Sequence, residues 1–403
     1  MKCKSDIFVL AQIIKSFRFA IAICFIIPLY AFHGKSEKSK ELHSRIIQLM
    51  EKHEGIGLSV VVVKNSKIVY YDSFGYNPDY SDSTKRTPIK KNNINYIASV
   101  SKTFISTAIM QLKDKRLLSL DDDVNKYLDF SVRNPYYPDT PITIRMLLTH
   151  RSSLNNLNYT VTFDHFNLLI PEKNKDYSQC YNNYKPGTSY DYCNYGYAIL
   201  GAVIEKTTGL RLDDYMDKYI MKPMRLYGGY NVEKLDSDRF VRTYQYSKGK
   251  YVRPIDVYKP DGHLKDYVLG FSTPTLHPAD GMIISSCDLA KFMMMHMNDG
   301  QYKKGKRIIS SESEKEMREV PSDNRNYGLA LAHYNFINGI DLIGMTGGAR
   351  GMHTAMYFNP EGKYGFVVFC NGCNSTSAAD GGLNKLVVQE LYKSFIQENY
   401  FND

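Results

Sequence analysis

The 403-residue sequence predicts an α/β chain of the α+β type, with an antiparallel sheet drawn from both ends and a mostly helical portion between them. Three observations lead there. Near the start, "LHSRIIQLMEK" (Leu42 to Lys52) carries apolar residues at helical spacing, and "GLSVVVVKNSKIVYYDSFGY" follows as two strands turning at Lys64 to Ser66. Near the end, "HTAMYFNPEGKYGFVVFCNG" reads as a second hairpin turning through Asn359 to Gly362, and "LNKLVVQELYKSFIQ" as a closing helix. Between these ends lie helical segments at Ser99 to Lys115, Ile144 to Thr149, Gly196 to Thr207 and Cys287 to Met297, separated by polar, tyrosine-rich loops. The reading is a single domain over 35–403, with its sheet part at about 42–98 and 325–397 and its helical part at about 99–324. The irregular stretches Asn155 to Lys185 and Asp236 to Asp280 are long for connections, as loops that line a site often are.

Residues 1–34 read as a signal peptide or an N-terminal anchor. Basic residues precede the apolar run "FRFAIAICFIIPLYAF" (Phe17 to Phe32), and the polar run "HGKSEKSKE" follows it. The run is short for a membrane span and contains Pro28, which favours the signal; an uncleaved leader would tether the chain to a membrane. Export is expected either way, to a periplasm, a membrane surface or the outside. Cys24 does not make a lipoprotein site, because Ile23 stands where a small residue is needed and apolar residues continue beyond.

The formal net charge of +9 is spread along the chain, and no basic cluster is interleaved with aromatics, which argues against a nucleic-acid groove but is compatible with small anionic substrates. Thirty-three tyrosines and no tryptophan suit a polar aromatic pocket, although a biased genome composition accounts for them equally well. Of seven cysteines, five lie beyond the leader, an odd number that leaves one unpaired within the chain. Cys370 and Cys373 form a CxxC, but no second pair or histidine cluster completes a zinc site, and the motif follows a strand. It reads as a structural or incidental pair, and no metal is expected.

The chemistry centres on "NYIASVSKTF". A serine three residues before a lysine at the start of a helix shares a face with it, and the amides at a helix start favour developing negative charge. Spacing alone is unspecific: Ser247 and Lys250 repeat it in the polar "YSKGK", and Ser99 reads on its own as a helix cap as readily as a nucleophile. Two further features support catalysis. Tyr192 and Asn194 form a Tyr-x-Asn triplet just before an apolar helix, and "LIGMTGGARGM" forms a glycine-rich turn leading into the second hairpin.

With these motifs the sequence resembles the serine β-lactamase and penicillin-binding-protein-like family, closest to the class C β-lactamases and to the esterases and D-amino-acid peptidases that share their motifs. The likeness spans roughly Ile46 to Phe395, with supporting blocks "TIRMLLTHRSSL", "PGTSYDYCNYGYAILG" and "DGMIISSCDLAKFM". It implies a β-lactamase/transpeptidase-like fold and an acyl-enzyme formed on Ser99, with no metal or organic cofactor. Lys102 and Tyr192 would share the serine proton, either serving as base, and Asn194 would orient Lys102 and meet the acyl side. Thr346 and Gly347 belong to the third motif, and the amides of Ser99 and Gly348 would hold the oxyanion.

The departure is Met345, which stands where relatives carry a lysine or histidine that helps hold a substrate carboxylate. Its presence lowers the expectation of β-lactam or D-alanyl-D-alanine turnover and shifts it toward esters. Arg350 is the candidate contact for a substrate anion, with His353 as an alternative, against the plainer reading of both as solvated or hairpin-packing residues. His150 is expected to be a structural loop histidine, Cys193 a buried inert thiol, Asp121 to Asp123 a solvated turn or cap, and Met293 to Met297 a core run. Asn158 and Asn374 begin sequons that matter only on a eukaryotic secretory route. The expected function is an exported serine hydrolase acting on a small ester or amide, with water or an alcohol as acyl acceptor. The alternatives are a β-lactamase or D-alanyl-D-alanine carboxypeptidase, a catalytically silent binding protein, and a membrane-tethered structural protein. The oligomeric state stays open.

Overall fold

A computed structural model of the chain describes residues 37–79, 85–157, 162, 164–258, 264–321, 326–374 and 382–398. The leader with Cys3 and Cys24, and the sequon residue Asn158, lie outside the described residues. The chain divides into two compact units, Met1–Glu41 and Leu42–Asp403. In the first, the described residues begin helix α1 (Glu37–Lys52), where Lys40 pairs with Glu37 at 2.7 Å; the helix starts earlier than the apolar spacing from Leu42 suggests. Among the described residues no helix is long and apolar enough to cross a membrane.

The second unit is built on a seven-stranded antiparallel sheet. Its strands are β1 (Gly57–Lys64), β2 (Lys67–Pro78), β3 (Arg86–Pro88), β4 (Ala332–Ile337), β5 (Ile340–Ala349), β6 (Met352–Asn359) and β7 (Tyr364–Asn371), in the order β4-β5-β6-β7-β1-β2-β3. The two ends of the chain meet where β1 pairs with β7, with Val60 opposite Val368 and Val61 opposite Val367. Because side chains alternate across a strand, Leu58, Val60, Val62, Phe366 and Val368 pack with Leu42, Ile46 and Met50 of α1 and with the closing helix, α7 (Gly382–Tyr392). Val61, Val63, Val367 and Phe369 enter the other core, with the helical portion. Covered on both faces, β1 is a continuous apolar run instead of an alternating one.

The helical portion surrounds α2 (Ser101–Asp114), buried from Ser101 to Leu112. Phe104 stacks on Phe292 of α5 (Ser286–Met297), with ring centroids 3.8 Å apart. Further helices include α3 (Ile144–Leu148), α4 (Asn194–Thr208), α6 (Ser311–Arg318) and α7 (Gly382–Tyr392). Thr143, Ser285 and Ser310 cap α3, α5 and α6 by accepting from amides of the first turn. Asp123 likewise accepts from Asn125 N–H, and Met293, Met295 and Met297 are buried, as expected. The stretch 236–280 contains a hairpin, Gln245–Ser247 with Lys250–Val252, and short 3-10 turns.

Glu205 ties α4 to this irregular stretch. Its fully buried carboxylate accepts from the Leu212 amide (2.8 Å), the Gly270 amide (2.7 Å) and the hydroxyls of Tyr267 (2.6 Å) and Thr273 (2.6 Å). Glu205→Ala removes the shared acceptor of these four donors and is expected to lower unfolding free energy by about 3 kcal/mol or more. Urea unfolding measures this directly, and a loss below about 1 kcal/mol would mean that the donors find other partners.

Candidate active site

Ser99 sits in a 3-10 turn, Ala98–Val100, which runs directly into α2. It does not cap the helix: the N-cap position falls on Val100, with no side-chain bond. The turn is held from several sides. Ile97 N–H donates to Met282 O (3.0 Å), the Thr354 hydroxyl donates to Ile97 O (2.7 Å), and Tyr230 donates to Ser101 O (2.8 Å). These bonds hold Ala98 at φ +47°, a left-handed conformation that alanine adopts only under constraint.

One turn beyond Ser99, at the start of α2, Lys102 is fully buried. Its Nζ lies 3.1 Å from Ser99 Oγ, 2.8 Å from Asn194 Oδ1 and 2.9 Å from Ala279 O. Burial lowers its pKa to about 7, against the opposing pull of Asp280 and Cys193. Tyr192 also lies beside Ser99, and its ring is 4.9 Å from Lys102 Nζ. Burial raises the Tyr192 pKa, so the phenol keeps its proton at neutral pH.

The triplet before α4 is fixed from the loop after α3. His150 Nδ1 accepts from Cys193 N–H (3.1 Å), which leaves the ring proton on Nε2, 3.1 Å from the Tyr327 hydroxyl. Burial and the nearby Lys102 keep His150 neutral, so it positions the triplet and carries no charge. Tyr190, Tyr192, Tyr197 and Tyr327 surround its ring. Cys193 is buried, and its thiol is pushed up to about 12 by that burial.

The third motif is not a turn. "LIGMTGGA" lies entirely in strand β5, and the turn follows at Arg350 and Gly351. Gly347 packs so closely on the serine turn that a Cβ there would meet Ile97 O at 2.4 Å and Ser99 N at 2.9 Å; only glycine fits. Gly348 is exposed on the same edge. Met345 points into the core of the helical portion and is 4% exposed, so the position offers no charge to a ligand. Thr346 and Tyr334 together line one wall of a cavity of about 350 Å³. Gly348, His353, Cys373, Asn384 and Lys385 are among its other lining residues. Arg350, in the turn at φ +51°, stands 5.7 Å from the Tyr96 ring and is not among the lining residues.

Sequence reasoning passed over three residues here. Asp280 is half-buried near Lys102 and accepts from the Tyr96 hydroxyl at 2.5 Å. Burial would raise its pKa, but His277, Tyr96 and Lys102 more than offset that and hold it below the usual carboxylate range. Asn156 brackets the triplet, donating to Tyr192 O (2.8 Å) and accepting from Asn194 N–H (2.7 Å). Lys385, near the start of α7, supplies a cation on the cavity wall. The only signal available for Asp280 was a carboxylate embedded in the apolar block "PADGMII".

Residues 42–389 match the Beta-lactamase family model. The chain belongs to the beta-lactamase family. Penicillin-binding protein 4* of Bacillus subtilis (strain 168) is 29% identical over 237 residues, covering 55% of this chain and 49% of that protein. The beta-lactamase-family chain thus spans about half the length of that relative. The octameric penicillin-binding protein homologue from Pyrococcus abyssi superimposes with a TM-score of 0.67 at 26% identity, covering 88% of this chain and 76% of that one. A class C beta-lactamase (TM-score 0.67, 19% identity, 90% and 98% covered) shares the fold. So does EstCE1, a hydrolase with promiscuous acyltransferase activity (TM-score 0.64, 17% identity, 87% and 98% covered). The fold is therefore β-lactamase/transpeptidase-like, in a family of serine hydrolases.

Proposed function

We propose that this chain hydrolyses or transfers the acyl group of a small ester or amide through an acyl-enzyme on Ser99. The observation that carries the reading is the set of contacts at Lys102. Asn194 Oδ1 and Ala279 O are both acceptors, and a neutral amine spends its two N–H groups on them. The lone pair then faces Ser99 Oγ, where it takes the hydroxyl proton as the oxygen attacks the carbonyl. Tyr192, still protonated and beside Ser99, is placed to donate toward the departing group. The amides of Ser99 and Gly348 receive the oxyanion, a role supported by the packing of β5 against the serine turn. The acyl group then passes to water or an alcohol. The apolar leader of residues 1–34 supports export, with the chain acting in a periplasm, on a membrane or outside.

Buried Met345 favours neutral esters over substrates that must anchor a carboxylate. The second reading, a β-lactamase or D-alanyl peptidase, draws support from Lys385 on the cavity wall. The test is turnover of a p-nitrophenyl acetate or butyrate beside a chromogenic cephalosporin, with mass analysis of the trapped protein. Expected are an acyl adduct on the Ser99 peptide and a kcat/KM for the ester at least about 100-fold above that for the cephalosporin. Comparable cephalosporin turnover would favour the second reading. No adduct from either substrate would overturn both.

A further inference from the structure

Three turns meet at the end of the sheet remote from Ser99. Asn359 of β6 pairs with Tyr364 at this end, whereas Thr354 of the same strand holds the serine turn, five residues or roughly 17 Å away. The turns are tied together: Asn65 N–H donates to Lys363 O (2.8 Å), and the Ser66 hydroxyl donates to Asn298 Oδ1 (2.9 Å) in the loop after α5. From that loop a short hairpin projects, Gln301–Lys303 with Lys306–Arg307, in which Lys303 stands opposite Lys306. Between the turns runs a groove of about 770 Å³ whose lining holds five cationic side chains against two carboxylates. The cations are of two kinds. Arg318 is engaged by Glu314 (3.0 Å) and Asp299 (3.3 Å), and Arg307 donates to Asp299 O. Lys303, Lys304 and Lys363 are exposed and form no ion pair among the described residues. Their assembly is invisible in the sequence, because two separate turns supply them.

We propose that this groove docks a flexible polyanion carrying phosphate groups, a binding role separate from the acyl-enzyme reading. Like charges gathered along one groove repel, and an anion laid between them relieves that repulsion. A lysine ammonium is a point charge that meets phosphate oxygens from any direction, whereas a carboxylate is matched best by the flat fork of an arginine. Both arginines here are already engaged, and the three lysines are not. A chain threads a concavity that a flat bilayer cannot enter, and among the described residues none of the strongly exposed large apolar side chains lines the groove to insert into lipid. Tyr302 is the one aromatic residue in the lining, too few for successive bases to stack.

The test titrates the full chain into fluorescein-labelled inorganic polyphosphate and reads anisotropy at about 50 mM and about 200 mM salt. Expected is a micromolar Kd at the lower salt that weakens at least about tenfold at the higher. Combining Lys303→Gln, Lys304→Gln and Lys363→Gln should weaken binding at least about tenfold, with ester turnover and thermal melt unchanged. Combining Lys115→Gln, Lys218→Gln and Lys248→Gln removes the same net charge from exposed positions outside the groove and should change Kd by less than about twofold. Equal losses in the two triple variants, or no binding of polyphosphate, would overturn the proposal. So would binding as tight to polyglutamate, to an oligothymidylate or to phosphatidylglycerol vesicles.

Discussion

Ser99→Ala is expected to lower ester kcat by at least about 10³-fold and to abolish the acyl adduct. Two groups, Lys102 and Tyr192, converge on the one hydroxyl that the substitution removes, and neither keeps a reacting atom without it. The loss should not reflect unfolding. The serine turn is held by Ile97, Thr354 and Tyr230 through bonds that do not involve Ser99 Oγ, so the melting temperature should stay close to that of the unmodified chain. Ser99→Cys separates the two explanations further. A thiol in the same place keeps a nucleophile and should still be acylated, with slow release, whereas a purely structural serine would leave turnover unaffected by either change. Turnover persisting in Ser99→Ala would remove the acyl-enzyme reading altogether.

Much of the fold was legible because both sheet hairpins are local. "GLSVVVVKNSKIVYY" and "MYFNPEGKYGFVVF" carry their strands and turns within a few residues, and the structure pairs them as β1 with β2 and β6 with β7. The glycine-rich third motif misled for a physical reason. Glycines mark turns in most contexts, but here Gly344 and Gly347 stay in the strand because backbone approaches them too closely for any side chain, Met356 O in one case and Ile97 O in the other. The start of the catalytic helix misled in a similar way: a serine before an apolar helical run suggests a cap, whereas the 3-10 turn moves the helix start past it.

The Ser99–Lys102 contact was legible because helical spacing of three brings side chains together. Tyr192 and Asn194 required the family likeness, since nothing local connects them to a lysine some 90 residues earlier; the Lys102–Asn194 separation is 92. Asn156 left no pattern at all, and Asp280 only its place in an apolar block. Their contacts arise from irregular segments returning to the site, where neither period nor propensity reports proximity.

Lys102 provides the last test, because its protonation state sets the direction of the pH dependence. Burial lowers its pKa to about 7, and the amine accepts the serine proton only when neutral. The neutral fraction grows as pH rises, so kcat/KM for a neutral ester should increase through about pH 7 and level off above it. The groups facing the amine are Ser99, Asn194, Ala279 O, Tyr192, Tyr197, Asp280 and Cys193, and of these Asp280 carries the opposing charge. Asp280→Asn removes a contribution that raises the Lys102 pKa and should move the limb to lower pH. Lys102→Met should lower kcat/KM by about 10²–10⁴-fold and erase the limb. An ascending limb near pH 10 in the unmodified protein would instead overturn a lowered Lys102 pKa as the source of the limb. A limb near 7 that Asp280→Asn leaves in place would place the titrating group away from Lys102.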